Sequence, residues 1–232
     1  MVTRQTNDFK SLDFLNGETL LIDKPKQWTS FKVVSKIRKA VKVKRVGHTG
    51  TLDPLASGLL IVLTGRSTKQ MKKFEGLDKT YTGVFLLGRV SPSMDTETDM
   101  TRKELKKDLS ESSIYSVRDE FLGETMQIPP MYSALKVGGR KLYDLARKGK
   151  VIDREPRKIN ISKFEITRID IPEVEFEIKC SKGTYIRVIA NDFGEHLGCG
   201  AVLSELRRTE VGNYSVNYAL SIDEFLSRIA VN

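Results

Sequence analysis

The pattern of apolar and polar positions divides the chain into short strands and amphipathic helices that alternate irregularly. Glu18 to Ile22 reads as a strand, and the turn Asp23-Lys24-Pro25-Lys26 leads from it into a helix capped by Thr29 or Ser30. Phe31, Val34, Ile37 and Val41 are expected on that helix's buried face. Leu59-Leu60-Ile61-Val62-Leu63 is an unbroken apolar run of strand length, as in a strand covered on both faces. Lys79 to Leu87 alternates, with Tyr81, Gly83, Phe85 and Leu87 on one side, and presents Tyr81 near its start. Ile114, Val117 and Phe121 mark a helix that Gly123 terminates, and Leu142, Leu145 and Ala146 mark another ended by Gly149. Val174, Phe176, Ile178 and Cys180 alternate with charged residues in a half-exposed strand, and Ser221-Ile222-Asp223-Glu224 is a capping box before a last short helix. A mixed α/β or α+β domain fits this order, with an excursion around 127–158 that carries Pro129-Pro130 and the Gly138-Gly139 turn.

Composition narrows the chemistry. At 232 residues the chain can bury a full core. Its two histidines and two cysteines, Cys180 and Cys199, show no metal-ligand spacing, so no metal site is expected and the cysteines read as reduced thiols. There is no GxGxxG or GxxxxGK[ST] for a nucleotide cofactor, no apolar run approaches the roughly 18 residues of a membrane span, and the amino terminus lacks an apolar leader. A cytoplasmic protein is expected.

The formal net charge of +9 favours a polyanionic partner, nucleic acid foremost. The basic residues are grouped. Lys36, Arg38, Lys39, Lys42, Lys44 and Arg45 lead into the glycine-punctuated stretch Gly47 to Gly58, and a second group runs from Lys136 to Lys158. Both suggest a track for phosphates.

The stretch between them carries the candidate chemistry. Asp53 sits among three glycines and is followed by Pro54, which biases it towards an extended conformation. An Asp-Pro in such a segment is commonly only a turn. Here His48, Thr49, Thr51 and Ser57 surround the acid with hydrogen-bonding side chains that a plain turn does not need.

These features resemble the TruB family of tRNA pseudouridine synthases. The matching blocks are Lys24-Pro25, Gly47 to Gly58 with Leu52-Asp53-Pro54, Lys79-Thr80-Tyr81, Gln127 to Lys136, Ser181 to Arg187 and Leu206-Arg207-Arg208-Thr209, in family order. The resemblance implies a pseudouridine synthase fold: a central, largely antiparallel sheet, flanking helices and an inserted thumb that clamps RNA. It implies one catalytic domain over 1–232 with no further carboxy-terminal domain evident. It implies isomerisation of the T-loop uridine at tRNA position 55, by a monomer that binds the T arm and uses no cofactor or metal.

By the same resemblance Asp53 is the catalytic carboxylate, acting as nucleophile or as base, and Arg187 orients it and holds its charge. Tyr81 stacks on the flipped base; Tyr185, Leu206 and His48 line the site around it; Lys24, Lys136, Arg147, Arg207 and Arg208 contact RNA. Where relatives carry a Thr-Asp-Thr-x-Asp-x-x-Gly-like stretch, this chain reads SPSMDTETDMT over Ser91 to Thr101, and a different local loop is expected. Two competing classes are a pure RNA-binding module, which would need neither Asp53 nor Arg187, and a guide-RNA-dependent pseudouridylase subunit, which carries an extra carboxy-terminal domain.

Overall fold

The apolar runs become strands and the 3.6-residue stripes become helices, in an order set out by a computed structural model that describes residues 1–106 and 109–230. In chain order these are β1 (Thr19–Lys24), α1 (Ser30–Val41), β2 (Val46–Thr49), β3 (Ser57–Thr64), α2 (Met71–Glu75), β4 (Lys79–Leu87), β5 (Arg89–Val90) and β6 (Thr101–Arg102). Then follow α3 (Glu111–Glu120), β7 (Gly123–Gln127), β8 (Lys136–Val137), β9 (Arg140–Lys141), α4 (Leu142–Ala146), β10 (Arg157–Asp170) and β11 (Glu173–Cys180). The chain continues through α5 (Ile186–His196), β12 (Ala201–Val211), β13 (Tyr214–Ser215), β14 (Leu220–Ser221) and α6 (Ile222–Ala230). No helix among the described residues is long and apolar enough to cross a membrane.

Two compact units result, Met1–Thr82 with Glu205–Asn232, and Gly83–Ser204. Both take residues from β4 and β12. In the first unit the strand order is β14-β1-β3-β12-β4, with β2 also paired to β3. Pairing is antiparallel at β1–β3 and β2–β3 and parallel at β3–β12 and β1–β14. All eight residues of β3 are buried, as its apolar run requires. Its start is possible only because Gly58, at φ +101°, lies against the main chain of Arg208, where a Cβ would come within 2.3 Å of a carbonyl oxygen. One side of this sheet packs α1 and α6 through Val33, Val34, Ile37 and Phe225.

The buried stripe of α1 is Ser30, Val33, Val34 and Ile37, and Thr29 caps the helix by accepting a hydrogen bond from the Lys32 amide. Phe31 departs from expectation and is 68% exposed. Ser30 takes the first inward position in its stead, because its hydroxyl finds main-chain partners there.

In the second unit β4, β11, β10 and β7 lie side by side, with the long β10–β11 hairpin antiparallel throughout. Its core is aromatic: Phe85 stacks on Phe176 at 4.2 Å between ring centroids and meets Phe193 of α5 at 5.4 Å. Cys180 and Cys199 are both buried. Together the two units form a mixed α/β fold with a large, mostly antiparallel sheet.

Candidate active site

In the first unit Asp53 stands on the loop between β2 and β3, and that loop is fastened on every side. Arg208, buried on β12, donates from Nη2 to the Gly50 carbonyl at 2.9 Å and from Nε to the Leu59 carbonyl at 2.7 Å. Gln27 donates its main-chain N–H to the Pro54 carbonyl at 2.7 Å, and Ala56 donates to the Asp53 carbonyl at 3.1 Å. The parallel register of β12 on β3 sets Arg207 opposite Ser57 and Arg208 opposite Gly58, so Leu206 to Arg208 run beside the end of the Asp53 loop. Next to β12 comes β4, joined there by the Thr209 hydroxyl donating to the Thr80 carbonyl at 3.2 Å. Asp53 thus stands on the loop that leads into β3, with Leu206 on β12 and Tyr81 on β4, the next strands in the sheet, and Tyr81 and Leu206 are each 9% exposed.

Charge in this unit is distributed differently from the sequence expectation. Lys24 is fully buried, and its Nζ donates to the carbonyls of Trp28 at 2.6 Å and Pro25 at 3.0 Å. Burial lowers its pKa to about 8, opposed by the attraction of Asp53 and reinforced by the charge of Arg208. Lys24 and Arg208 were expected to contact RNA. In the fold Lys24 Nζ and the Nε and Nη2 of Arg208 donate to main-chain carbonyls that burial would otherwise leave unsatisfied. Asp53 and Lys24 attract each other. Arg207 is part-exposed and makes a two-point ion pair with Asp23, at 2.7 and 3.1 Å.

His48, on β2, has its pKa lowered by burial and then by the charge of Arg208, and its Nδ1 is buried without a hydrogen-bond partner.

In the second unit Arg187 opens α5, and only 4% of it is exposed. Its Nη1 lies 3.7 Å from Oδ2 of Asp95, itself buried, and the Arg187 guanidinium lies 5.7 Å from the ring centroid of Tyr185. In the sequence Asp95 is marked only by its place in the stretch that departs from the family pattern. The stretch folds around it: Asp95 Oδ1 accepts the Glu97 amide at 2.9 Å, and the Ser91 hydroxyl donates to the Asp95 carbonyl at 2.6 Å. Gln127 holds the Tyr185 main chain from both sides, accepting its N–H at 2.8 Å and donating to its carbonyl at 3.2 Å. The Ser-Lys-Gly-Thr turn is thereby tied to β7 just before Arg187.

The insertion around 127–158 forms the hairpin β8–β9 and helix α4. Arg140, Arg147, Lys148 and Lys150 line an open cavity of about 750 Å³ there, relieved by a single carboxylate, Asp144. The side chain of Lys136 lies outside the described part of the structure.

Comparison with known proteins places these features together. The model of the TruB family pseudouridylate synthase N-terminal domain matches residues 38–186, and that of the tRNA pseudouridylate synthase B C-terminal domain matches residues 187–231. The chain is 44% identical over 220 residues to tRNA pseudouridine synthase B of Flavobacterium johnsoniae, covering 92% of this chain and 96% of the relative. It is 48% identical over 221 residues to the enzyme of the same name from Chlorobium chlorochromatii, covering 93% and 87%. Among solved structures it resembles one chain of a Cbf5-Nop10-Gar1 complex, with a TM-score of 0.73 and 29% identity, over 92% of this chain but 54% of that one. A single carboxylate fastened at the head of a buried strand, within a family match that spans it, makes this chain a member of the TruB family of pseudouridine synthases.

Proposed function

We propose that the chain converts uridine to pseudouridine at position 55 in the T loop of tRNA, acting in the cytoplasm as a monomer that binds the T arm. The observation that carries this reading is Asp53, mounted on a fastened loop beside a buried ammonium, inside the region matched by the family model. The reaction is an isomerisation and calls for no external group. The N1–C1′ bond breaks, the uracil turns, C5 joins C1′, the C5 proton leaves and N1 takes one up.

Asp53 serves as nucleophile or as the base that takes a sugar proton, and in either role it must be ionised. Lys24 supplies a favourable charge, and Arg187, oriented by Asp95, is assigned to pair with Asp53. The uridine has to be flipped from its loop at a cost of a few kcal/mol, which stacking on Tyr81 and phosphate contacts offset. Those phosphate contacts fall to Arg147 and Lys136 of the insertion, with Arg207 in the first unit. Tyr185, Leu206 and His48 shape the space around the base. The much higher identity to tRNA pseudouridine synthases than to the Cbf5 chain favours tRNA as substrate over guide-RNA-dependent action.

The test compares wild type and Asp53→Asn on a tRNA transcript and on the same transcript with its target uridine changed to cytidine. Pseudouridine is mapped by chemical labelling and primer extension, and RNA binding is followed in parallel. Product from wild type alone, and only at that uridine, is expected. Tight binding without product would overturn the reading in favour of a binding module.

A further inference from the structure

We infer that Ser30 is a positioning residue for Asp53, holding the loop through both main-chain polar groups of Leu52. The inference rests on the catalytic role of Asp53 proposed above and extends it to a residue on a different element. Thr29 already caps α1 by accepting the Lys32 amide at 3.0 Å, so the helix end does not call on the neighbouring hydroxyl. Ser30 turns inward. Its Oγ donates to the Leu52 carbonyl at 3.0 Å and accepts the Leu52 N–H at 2.9 Å. A hydroxyl has one proton to give and lone pairs to receive, so this one atom satisfies both groups of a single residue.

The location matters for the carboxylate. The Leu52 carbonyl belongs to the peptide plane that joins Leu52 to Asp53, and fixing it fixes the direction from which the chain enters Asp53. On the exit side, Pro54 restricts Asp53, and the Pro54 carbonyl is held by the Gln27 N–H at 2.7 Å. Gln27, in the turn after β1, and Ser30, the first residue of α1, lie three residues apart, so one short segment grips the loop on both sides of Asp53. That segment is not itself loose. Lys24 ties the carbonyls of Pro25 and Trp28, and α1 is packed through Val33, Val34 and Ile37. Ser30 and Leu52 are 2% and 3% exposed, so water does not compete for the bonds. A carboxylate mounted in this way keeps its approach to the sugar or base without reorganising at the moment of reaction.

The experiment uses the full chain and a tRNA transcript under single-turnover conditions with enzyme saturating, together with RNA affinity and thermal midpoint. The variants are Ser30→Ala, Ser30→Thr, which keeps Oγ, and Thr29→Ala, which removes the cap at the same helix end without touching Leu52. Ser30→Ala is expected to lower the single-turnover rate by about tenfold or more with RNA affinity within about twofold of wild type. Ser30→Thr is expected to restore most of the rate, and Thr29→Ala to lower the midpoint while leaving the rate unchanged at temperatures well below it. If Ser30→Ala does not fold, Ser30→Cys, a weak donor of similar size, takes its place with the same expected loss. A wild-type rate in the Ala or Cys variant, or equal losses in Ser30→Ala and Thr29→Ala, would overturn this inference alone. No product from wild type overturns the proposed function, and this inference falls with it.

Discussion

Arg208 and Gly50 are locked to each other: the buried guanidinium holds the Gly50 carbonyl at 2.9 Å, and its Nη1 stands 3.2 Å from where a Cβ on Gly50 would be. The same guanidinium holds Leu59 beyond the loop, so one planar group spans both ends of the segment that carries Asp53. Gly50 has φ +65°, a conformation open to glycine at little cost, and the lack of a side chain leaves room for the arginine.

Gly50→Ala is therefore expected to lose stability twice over. The left-handed backbone costs about 1–2 kcal/mol for a residue with a Cβ, and the added methyl presses on a guanidinium held by two main-chain carbonyls. Gly183→Ala, at φ +83° with nothing within 4 Å of the added atom, carries the backbone cost alone. Urea unfolding of the two variants should show the larger loss in Gly50→Ala, and only that variant should also lose isomerisation rate. Equal losses would mean that the Arg208 contact does not constrain the loop.

Lys24 gives a pH dependence with a definite sign. Burial brings its amine from the ordinary 10.5 to about 8 in the folded chain. Above 10.5 the amine is neutral in both states; as pH falls, the unfolded chain takes up its proton first, and stability is lost until about 8, where the folded chain is protonated too. The unfolding free energy of wild type relative to Lys24→Met is accordingly expected to rise with pH between about 8 and about 10, and to be flat below. Matched denaturation series in urea measure it, and a difference that stays constant across the range would show that the amine is not depressed.

Lys24 and Arg208 also mark where sequence reasoning stops. Long cationic side chains are mostly exposed, so a lysine and an arginine in an RNA-linked motif read naturally as phosphate contacts. Their burial depends on carbonyls at Trp28, Leu59 and Gly50 that only the folded chain brings to them. Phe31 misled for a related reason. Counting apolar positions puts it on the helix stripe, whereas the actual stripe begins at the polar Ser30, whose partner lies 22 residues away in Leu52. Local signals were legible. The apolar run of β3 is buried at every position, and Ser221 and Glu224 close the expected capping box at 2.7 and 3.1 Å. The Asp53 loop could be found because its glycines, proline and acid are adjacent in sequence; the Arg187 and Asp95 pair could not, because it joins elements some ninety residues apart.

Asp95→Asn tests that pair. The side chains of Arg187 and Asp95 are 5% and 2% exposed, so their interaction is weakly screened by solvent. Asparagine keeps the shape and an acceptor for the Glu97 amide but removes the charge facing Arg187. The isomerisation rate should fall roughly 10- to 100-fold, the scale on which a misplaced orienting group acts, while tRNA affinity in a filter-binding assay stays near wild type. Loss of affinity without loss of the saturated rate would place the pair in RNA binding.

A hydrogen bond couples the insertion to the same loop. The Tyr143 hydroxyl on α4 donates to Glu97 at 2.7 Å, two residues beyond Asp95, and that bond, with a lesser contribution from burial, raises the phenol's pKa. Tyr143 also packs edge-on against Tyr132 at 5.9 Å, which a phenylalanine would retain. Tyr143→Phe should therefore release the Glu97 bond while keeping the ring contact. Trypsin, which cuts after Arg147, Lys148 and Lys150, reports on how firmly the insertion is held. Tyr143→Phe and Glu97→Ala should each speed cleavage there, and the double variant should be no faster than the quicker single one, because both remove the same bond. Additive effects would show that the two residues act separately, and unchanged cleavage in both would show that the insertion is held by other contacts.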